Sequence, residues 1–169
     1  MKKIIRKIYV KWLCLIGRAI DISSTNKYPA GFLSNFTPYT FTFRGIEFTS
    51  MESLLLGLKF EGVEPQNSVF QRVGVKAKLR GKKRKWYLDQ TLYWQGTPMK
   101  RDSEEYKNIV HEAFYALAEN IDFQQTLPAT GNKRLYHTMG KSDPTRTILT
   151  EEEFCGILTE VRRKLIARA

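Results

Sequence analysis

Residues 31 to 60, GFLSNFTPYTFTFRGIEFTSMESLLLGLKF, constrain the fold more than any other stretch, because two strand patterns, a turn and a helix start follow one another there. Phe41 and Phe43 alternate with Thr40 and Thr42, Arg44-Gly45 turns the chain, and Ile46 and Phe48 resume the alternation. That pattern predicts a short antiparallel hairpin. Thr49 and Glu52 then stand at capping-box spacing, in which a hydroxyl and a carboxylate satisfy each other's backbone donors. Met51, Leu54, Leu55 and Leu58 recur at three- and four-residue intervals, so the helix that follows has a stripe to bury.

Helical spacing recurs elsewhere. Ile5, Ile8, Trp12 and Leu15 or Ile16 share one face of a helix from about 2 to 18, with Lys3, Arg6, Lys7 and Lys11 largely elsewhere on it. The expectation is a basic amphipathic helix, residues 1 to 18, packed by its apolar face on a domain of residues 19 to 169; the alternative is a helix on a membrane surface. Ala19 to Ile22 reads as a strand, residues 61 to 67 as a loop, and Val69 to Leu79 as a helix before the basic run GKKRK. The aromatic segment Trp86 to Trp94 has no decisive period. Asp102 with Glu105 predicts a second capped helix to about Glu119, burying Tyr106, Ile109, Val110, Ala113, Phe114 and Leu117. Phe123 to Leu127 continues as a short helix, residues 132 to 147 form a polar loop, and Thr150 with Glu153 caps a terminal helix through Ile166. The expected class is mainly α within α+β: a single-domain orthogonal helical bundle with a small β-hairpin near the N-terminal third.

Charge bounds the partners. A formal net charge of +11 and a pI of 9.7 favour a polyanion, nucleic acid included. Lys and Arg cluster within residues 1 to 20 and 72 to 85; a solvated basic face explains the second cluster equally well. The two cysteines and two histidines have no zinc spacing, so neither a metal nor another cofactor is expected, and a reducing, cytoplasmic setting fits. No run approaches the roughly 20 apolar residues of a membrane span, and Lys11 and Arg18 spoil the N-terminus as a signal peptide. Oligomeric state has no signature.

Two acids stand out by position. Glu52 lies at a helix start beside the Asn35 turn, and Asp143 lies in the polar loop. Such a pair can stabilise an oxocarbenium-like centre and activate water; alternatively Glu52 only caps its helix and Asp143 only starts a turn. Walker, dinucleotide-binding and deaminase patterns are absent.

The same opening stretch resembles the first block of the NADAR, or YbiA-like, family, F-S-N-F-x-P followed by G-x-x-(Y/F)-x-S-x-E-H-x-x-Q-A-x-K. Phe32, Ser34, Asn35, Phe36, Pro38, Gly45, Phe48, Ser50, Glu52 and Lys59 fit it. Downstream, Ala77, Lys78 and Gly81, then Phe123, Leu127, Thr130 and Gly131, then Gly156, Leu158 and Arg162 resemble later blocks. The resemblance implies an N-glycosidase acting on a nucleotide-like riboside, either a ribosylamino-pyrimidine phosphate or ADP-ribose on guanine. It places Glu52 at the ribosyl cation or its water, with Ser34, Asn35, Phe36 and Lys59 holding ribose and phosphate. Trp94, preferred to Trp86, would stack on the leaving base, with Arg101 nearby. Asp143 would take the place of the family's later acid, with Gly140, Lys141 and Ser142 as phosphate contacts. Ser53, Leu56 and Gly57 depart from the His, Gln and Ala of the pattern, and no Trp-Gly adjoins Asp143. Competing readings are a noncatalytic module that binds ADP-ribose or nucleic acid, and an interaction protein that has kept the fold and lost the site.

Overall fold

The computed structural model describes residues 2–72 and 84–168. The described elements are α1 (Lys2–Leu15), β1 (Ala19–Asp21), β2 (Phe41–Phe43), β3 (Ile46–Phe48), α2 (Met51–Gly57), α3 (Val63–Phe70), β4 (Thr91–Trp94), β5 (Thr97–Lys100), α4 (Glu104–Leu117), α5 (Ile121–Thr126), β6 (Arg134–Tyr136) and α6 (Glu151–Arg168). Short 3-10 turns occupy Trp86–Leu88 and Pro128–Thr130. The class is α+β.

The expected hairpin forms as β2 and β3, pairing Phe41 with Phe48 and Phe43 with Ile46. Arg44 and Gly45 both turn through positive φ, 49° and 78°, the geometry of a two-residue hairpin loop. The aromatic segment without a clear period divides into a 3-10 turn and a second hairpin, β4 with β5, again turning through positive φ at Gln95 and Gly96. A third ladder joins β1 to β6 in parallel, Ile20 opposite Leu135. Neither added ladder was expected, and the parallel one unites segments more than a hundred residues apart.

Caps shift by one residue from two of the three expected positions. Helix α2 is capped by Ser50, whose hydroxyl accepts from Ser53 N while Ser53 Oγ accepts from Ser50 N. The Thr49 hydroxyl is instead turned toward the carbonyls of Phe70 and Arg72, at 3.1 and 2.8 Å. Ser103, not Asp102, caps α4, accepting from Tyr106 N at 3.2 Å. Thr150 and Glu153 do form their box: Glu153 Oε2 accepts from Thr150 N at 2.7 Å, and Thr150 Oγ1 accepts from Glu153 N at 3.2 Å. Ser50 is fully buried, so Ser50→Ala leaves an enclosed donor unmet; an expected loss of about 1–2 kcal/mol is read from the urea midpoint.

The stretch 61 to 67, expected as a loop, contributes most of α3. Pro65 lies in the first turn of that helix, where no backbone donor is needed. The expected helix over 69 to 79 lies, beyond Arg72, outside the described residues.

Phe48, Phe70, Leu54, Leu58, Leu92, Tyr106, Ile109, Phe114, Phe123 and Leu158 form one fully buried core. The expected inward face of α4 is buried throughout. Helix α1 stops at Leu15, with Gly17 at φ 73° closing its end, and it docks by the side opposite to the one expected. Val10 and Leu13 pack on Ala19 and Tyr136, while Ile5, Ile8, Trp12, Leu15 and Ile16 face outward. On that docked side the Arg6 guanidinium donates to both carboxylate oxygens of Glu151 at 2.8 and 2.7 Å. Burial alone would raise the Glu151 pKa, but Arg6 and the His137 N–H override it and hold the carboxyl below its ordinary value.

Candidate functional site

The helix that follows Ser50 is short, but its spacing does two jobs. Met51, Leu54 and Leu58 turn into the core, while Glu52, Leu55, Leu56 and Lys59, at the offsets of one helix face, line a cleft of about 440 Å³. Asn35 joins them because Glu52 N donates to the Asn35 carbonyl at 2.9 Å, tying the 31 to 38 turn to the first turn of α2. Ser34 and Phe36 shape that turn, with Ser34 Oγ accepting from Phe36 N at 3.3 Å, and neither lines the cleft.

The facing wall comes from two segments. One contributes Arg84, Trp86 and Tyr87; the other contributes His137, Met139, Gly140, Lys141 and Arg146 to Leu149, with Phe154 of α6 behind. Arg146 lies over the Tyr87 ring, 5.2 Å from its centroid. His137 Nδ1 is 2.6 Å from the Ile22 carbonyl, which can only accept, so Nδ1 carries a proton and donates it there. Gly140 permits the tight turn after His137 against α6: a Cβ there would fall 2.7 Å from the His137 ring, 2.9 Å from its carbonyl and 3.2 Å from Glu151 Cβ.

Glu52 is the one carboxylate lining the cleft among the described residues, against Lys59, Arg84, Lys141 and Arg146. Burial pushes the Lys59 ammonium below its ordinary value, the Glu52 carboxylate opposes that shift, and the nearby Lys141 charge adds to it. No group of three His, Cys, Asp or Glu side chains is placed to hold a metal ion among the described residues.

Five of the residues singled out in the sequence, Asn35, Glu52, Lys59, Gly140 and Lys141, therefore share the cleft. Others lie elsewhere. Trp94 is packed among Phe43, Phe48 and Phe70 with Arg44 over its ring, and the tryptophan that lines the cleft is Trp86. Arg101 is buried and braces the wall from behind, donating to the Thr147 carbonyl at 3.1 Å and to Glu153 at 2.6 Å. Asp143 is exposed and outside the lining; its Oδ1 accepts from both N and Oγ1 of Thr145, which holds its carboxyl below the usual range. It shapes the turn that delivers Arg146, as the Arg146 N to Asp143 O bond of 3.1 Å shows, and Ser142 likewise stays out of the lining. A pairing of Glu52 with Asp143 across one cleft is not what this geometry provides.

Trp86 stood second to Trp94 on sequence grounds, while Arg84, Tyr87, His137 and Arg146 were not singled out. The abutment of the basic run on Trp86-Tyr87 was the available signal for Arg84 and the two rings; nothing local marked His137 or Arg146.

This arrangement of helices and small ladders is the fold of the YbiA protein of E. coli. The NMR structure of that protein matches with a TM-score of 0.61 over 89% of this chain and 87% of its own, at 16% identity. The chain belongs to the family of bacteriophage protein GP30.3, which matches residues 27–163. An uncharacterized 17.1 kDa protein of enterobacteria phage T4, encoded in the Gp30-rIII intergenic region, is 34% identical over 149 residues, covering 86% of this chain and 98% of the relative. The NADAR, YbiA-like resemblance drawn from the first block of the sequence is thus borne out.

Proposed function

We propose that the chain is an N-glycosidase of a phosphorylated, nucleotide-like riboside, with ADP-ribose attached to a base as the leading substrate class. The observation that carries this reading is the composition of one cleft: among the described residues, a single carboxylate, four cations and the rings of Trp86 and Tyr87. Phosphates would be held by Lys59, Lys141, Arg84 and Arg146, and the leaving base would lie against Tyr87 or Trp86. Asn35 would hold ribose hydroxyls. In the reaction the bond from the ribose anomeric carbon to the base nitrogen breaks and water adds its oxygen to that carbon; one water proton leaves with the base. Glu52 would stabilise the cationic ribose and orient the water. Asp143 supports the wall, and we assign no second acid to the chemistry.

Incubation with ADP-ribosylated guanine DNA and, separately, with a ribosylamino-pyrimidine phosphate tests this, release of the free base or ADP-ribose being followed by chromatography. Release from neither, with calorimetric binding retained, would favour the noncatalytic module. Nucleic acid as carrier of the modification fits the basic run over 72 to 85, of which Arg72, Arg84 and Lys85 are described; affinity falling steeply with salt is its expected mark.

Lys59 supplies a pH signature. Its downward shift means that it loses its proton below the 10.5 of an ordinary lysine, so phosphate affinity should fall on the alkaline side earlier than an exposed lysine would allow. Lys59→Met should weaken binding by about tenfold at neutral pH and remove that early alkaline limb, both measured by calorimetric titration.

A further inference from the structure

The outward side of α1 has no use in the reading above. Ile4, Ile5, Ile8, Tyr9, Trp12, Leu15 and Ile16 cover a continuous sector of the helix, and Ile5, Ile8, Trp12 and Leu15 are 60%, 64%, 52% and 78% exposed. Together they present a contiguous apolar patch on the order of several hundred Å², a size that often marks an interaction site. Exposed Lys7 and Lys11 border the sector. Lys7 Nζ reaches Met139 Sδ at 3.8 Å, so the basic border adjoins the rim of the cleft. The helix also lies outside residues 27–163 matched by the family.

We propose that α1 is an interfacial helix that docks the chain on an anionic lipid surface. Its 14 residues span about 21 Å, short of the roughly 30 Å hydrocarbon core, and no helix among the described residues is long and apolar enough to cross a membrane. An apolar sector carrying Tyr and Trp, edged by Lys, is what lies in the plane of a headgroup layer, rings at the boundary and ammonium groups on phosphate. Charge selects this occupant over a second copy, since apposing two chains of net charge +11 face to face is repulsive, whereas an acidic bilayer attracts the same surface. Because Val10, Leu13 and Arg6 hold the opposite side to the domain, docking needs no rearrangement of the fold.

The test is co-sedimentation of the full chain with vesicles of phosphatidylcholine alone and of phosphatidylcholine with about 30% phosphatidylglycerol. The expected result is salt-sensitive binding to the acidic vesicles and little to the neutral ones. The double variant Ile8→Ser/Trp12→Ser keeps every charge and should lower partition by about tenfold or more with the melting temperature unchanged. Lys7→Gln/Lys11→Gln should weaken acidic-vesicle binding and make it less salt-sensitive. Failure to bind either vesicle would overturn the proposal. So would acidic-vesicle binding that the Ser variant leaves intact, which general basicity explains, or a dimer in sedimentation that the Ser variant dissolves without any vesicle binding.

Discussion

Glu52→Gln is expected to lower turnover of an N-ribosylated substrate by about 10²–10⁴-fold while changing its affinity by no more than about threefold. The substitution keeps the size of the side chain, removes its charge and puts a donor NH2 in place of one acceptor oxygen. Among the described residues that charge is the only negative one lining the cleft, set against four cations. Positive charge appears on ribose only as the bond to the base breaks, so the carboxylate acts mainly on the transition state, whereas phosphates bound by Lys59, Lys141, Arg84 and Arg146 are held before and after it. Single-turnover release measures the first quantity and calorimetry the second. Unchanged turnover would remove Glu52 from the chemistry; a matching collapse of affinity would make it a binding residue instead.

Phe48→Ala is expected to cost about 3–5 kcal/mol, a large share of the roughly 5–15 kcal/mol that holds a domain together. The ring is fully buried, with centroids 4.5 Å from Phe70, 5.2 Å from Phe41 and 6.4 Å from Trp94. It ends β3 two residues before the Ser50 cap, so the void opens beside the helix that carries Glu52 and leads to Lys59. A melting temperature lower by roughly 10 °C should accompany the shift in urea midpoint. A loss under about 1 kcal/mol would show that the aromatic cluster tolerates collapse around the gap. That would also loosen the argument that Trp94 serves packing rather than substrate.

The comparison of Trp94 with Trp86 shows where reading the chain ran out. Both lie in one aromatic segment beside a basic run, and nothing local separates them. In the structure Trp94 ends a strand whose side chain stacks into the core, while Trp86 starts a 3-10 turn along the cleft wall. Caps show the same limit on a finer scale. Thr49 and Ser50 are both competent caps, as are Asp102 and Ser103; in the structure Ser50 caps while the Thr49 hydroxyl is turned toward two distant carbonyls, of Phe70 and Arg72.

What the sequence determined by itself was what contacts within a few residues can enforce. The β2–β3 hairpin follows from alternation around Arg44-Gly45, the buried face of α4 from its three- and four-residue spacing, and the Thr150–Glu153 cap from a hydroxyl and carboxylate three positions apart. Tertiary structure decided the rest. Helix α1 is apolar on two sides, so its period could not say which would dock; the docked side carries Val10, Leu13 and the Arg6–Glu151 pair, formed across 145 positions. The cleft likewise unites α2, the turn after Arg84 and the loop after Tyr136, segments without local reason to meet. Which charges and rings face Glu52 depends on how the buried faces of those segments pack, and periodicity specifies a face without specifying its partner.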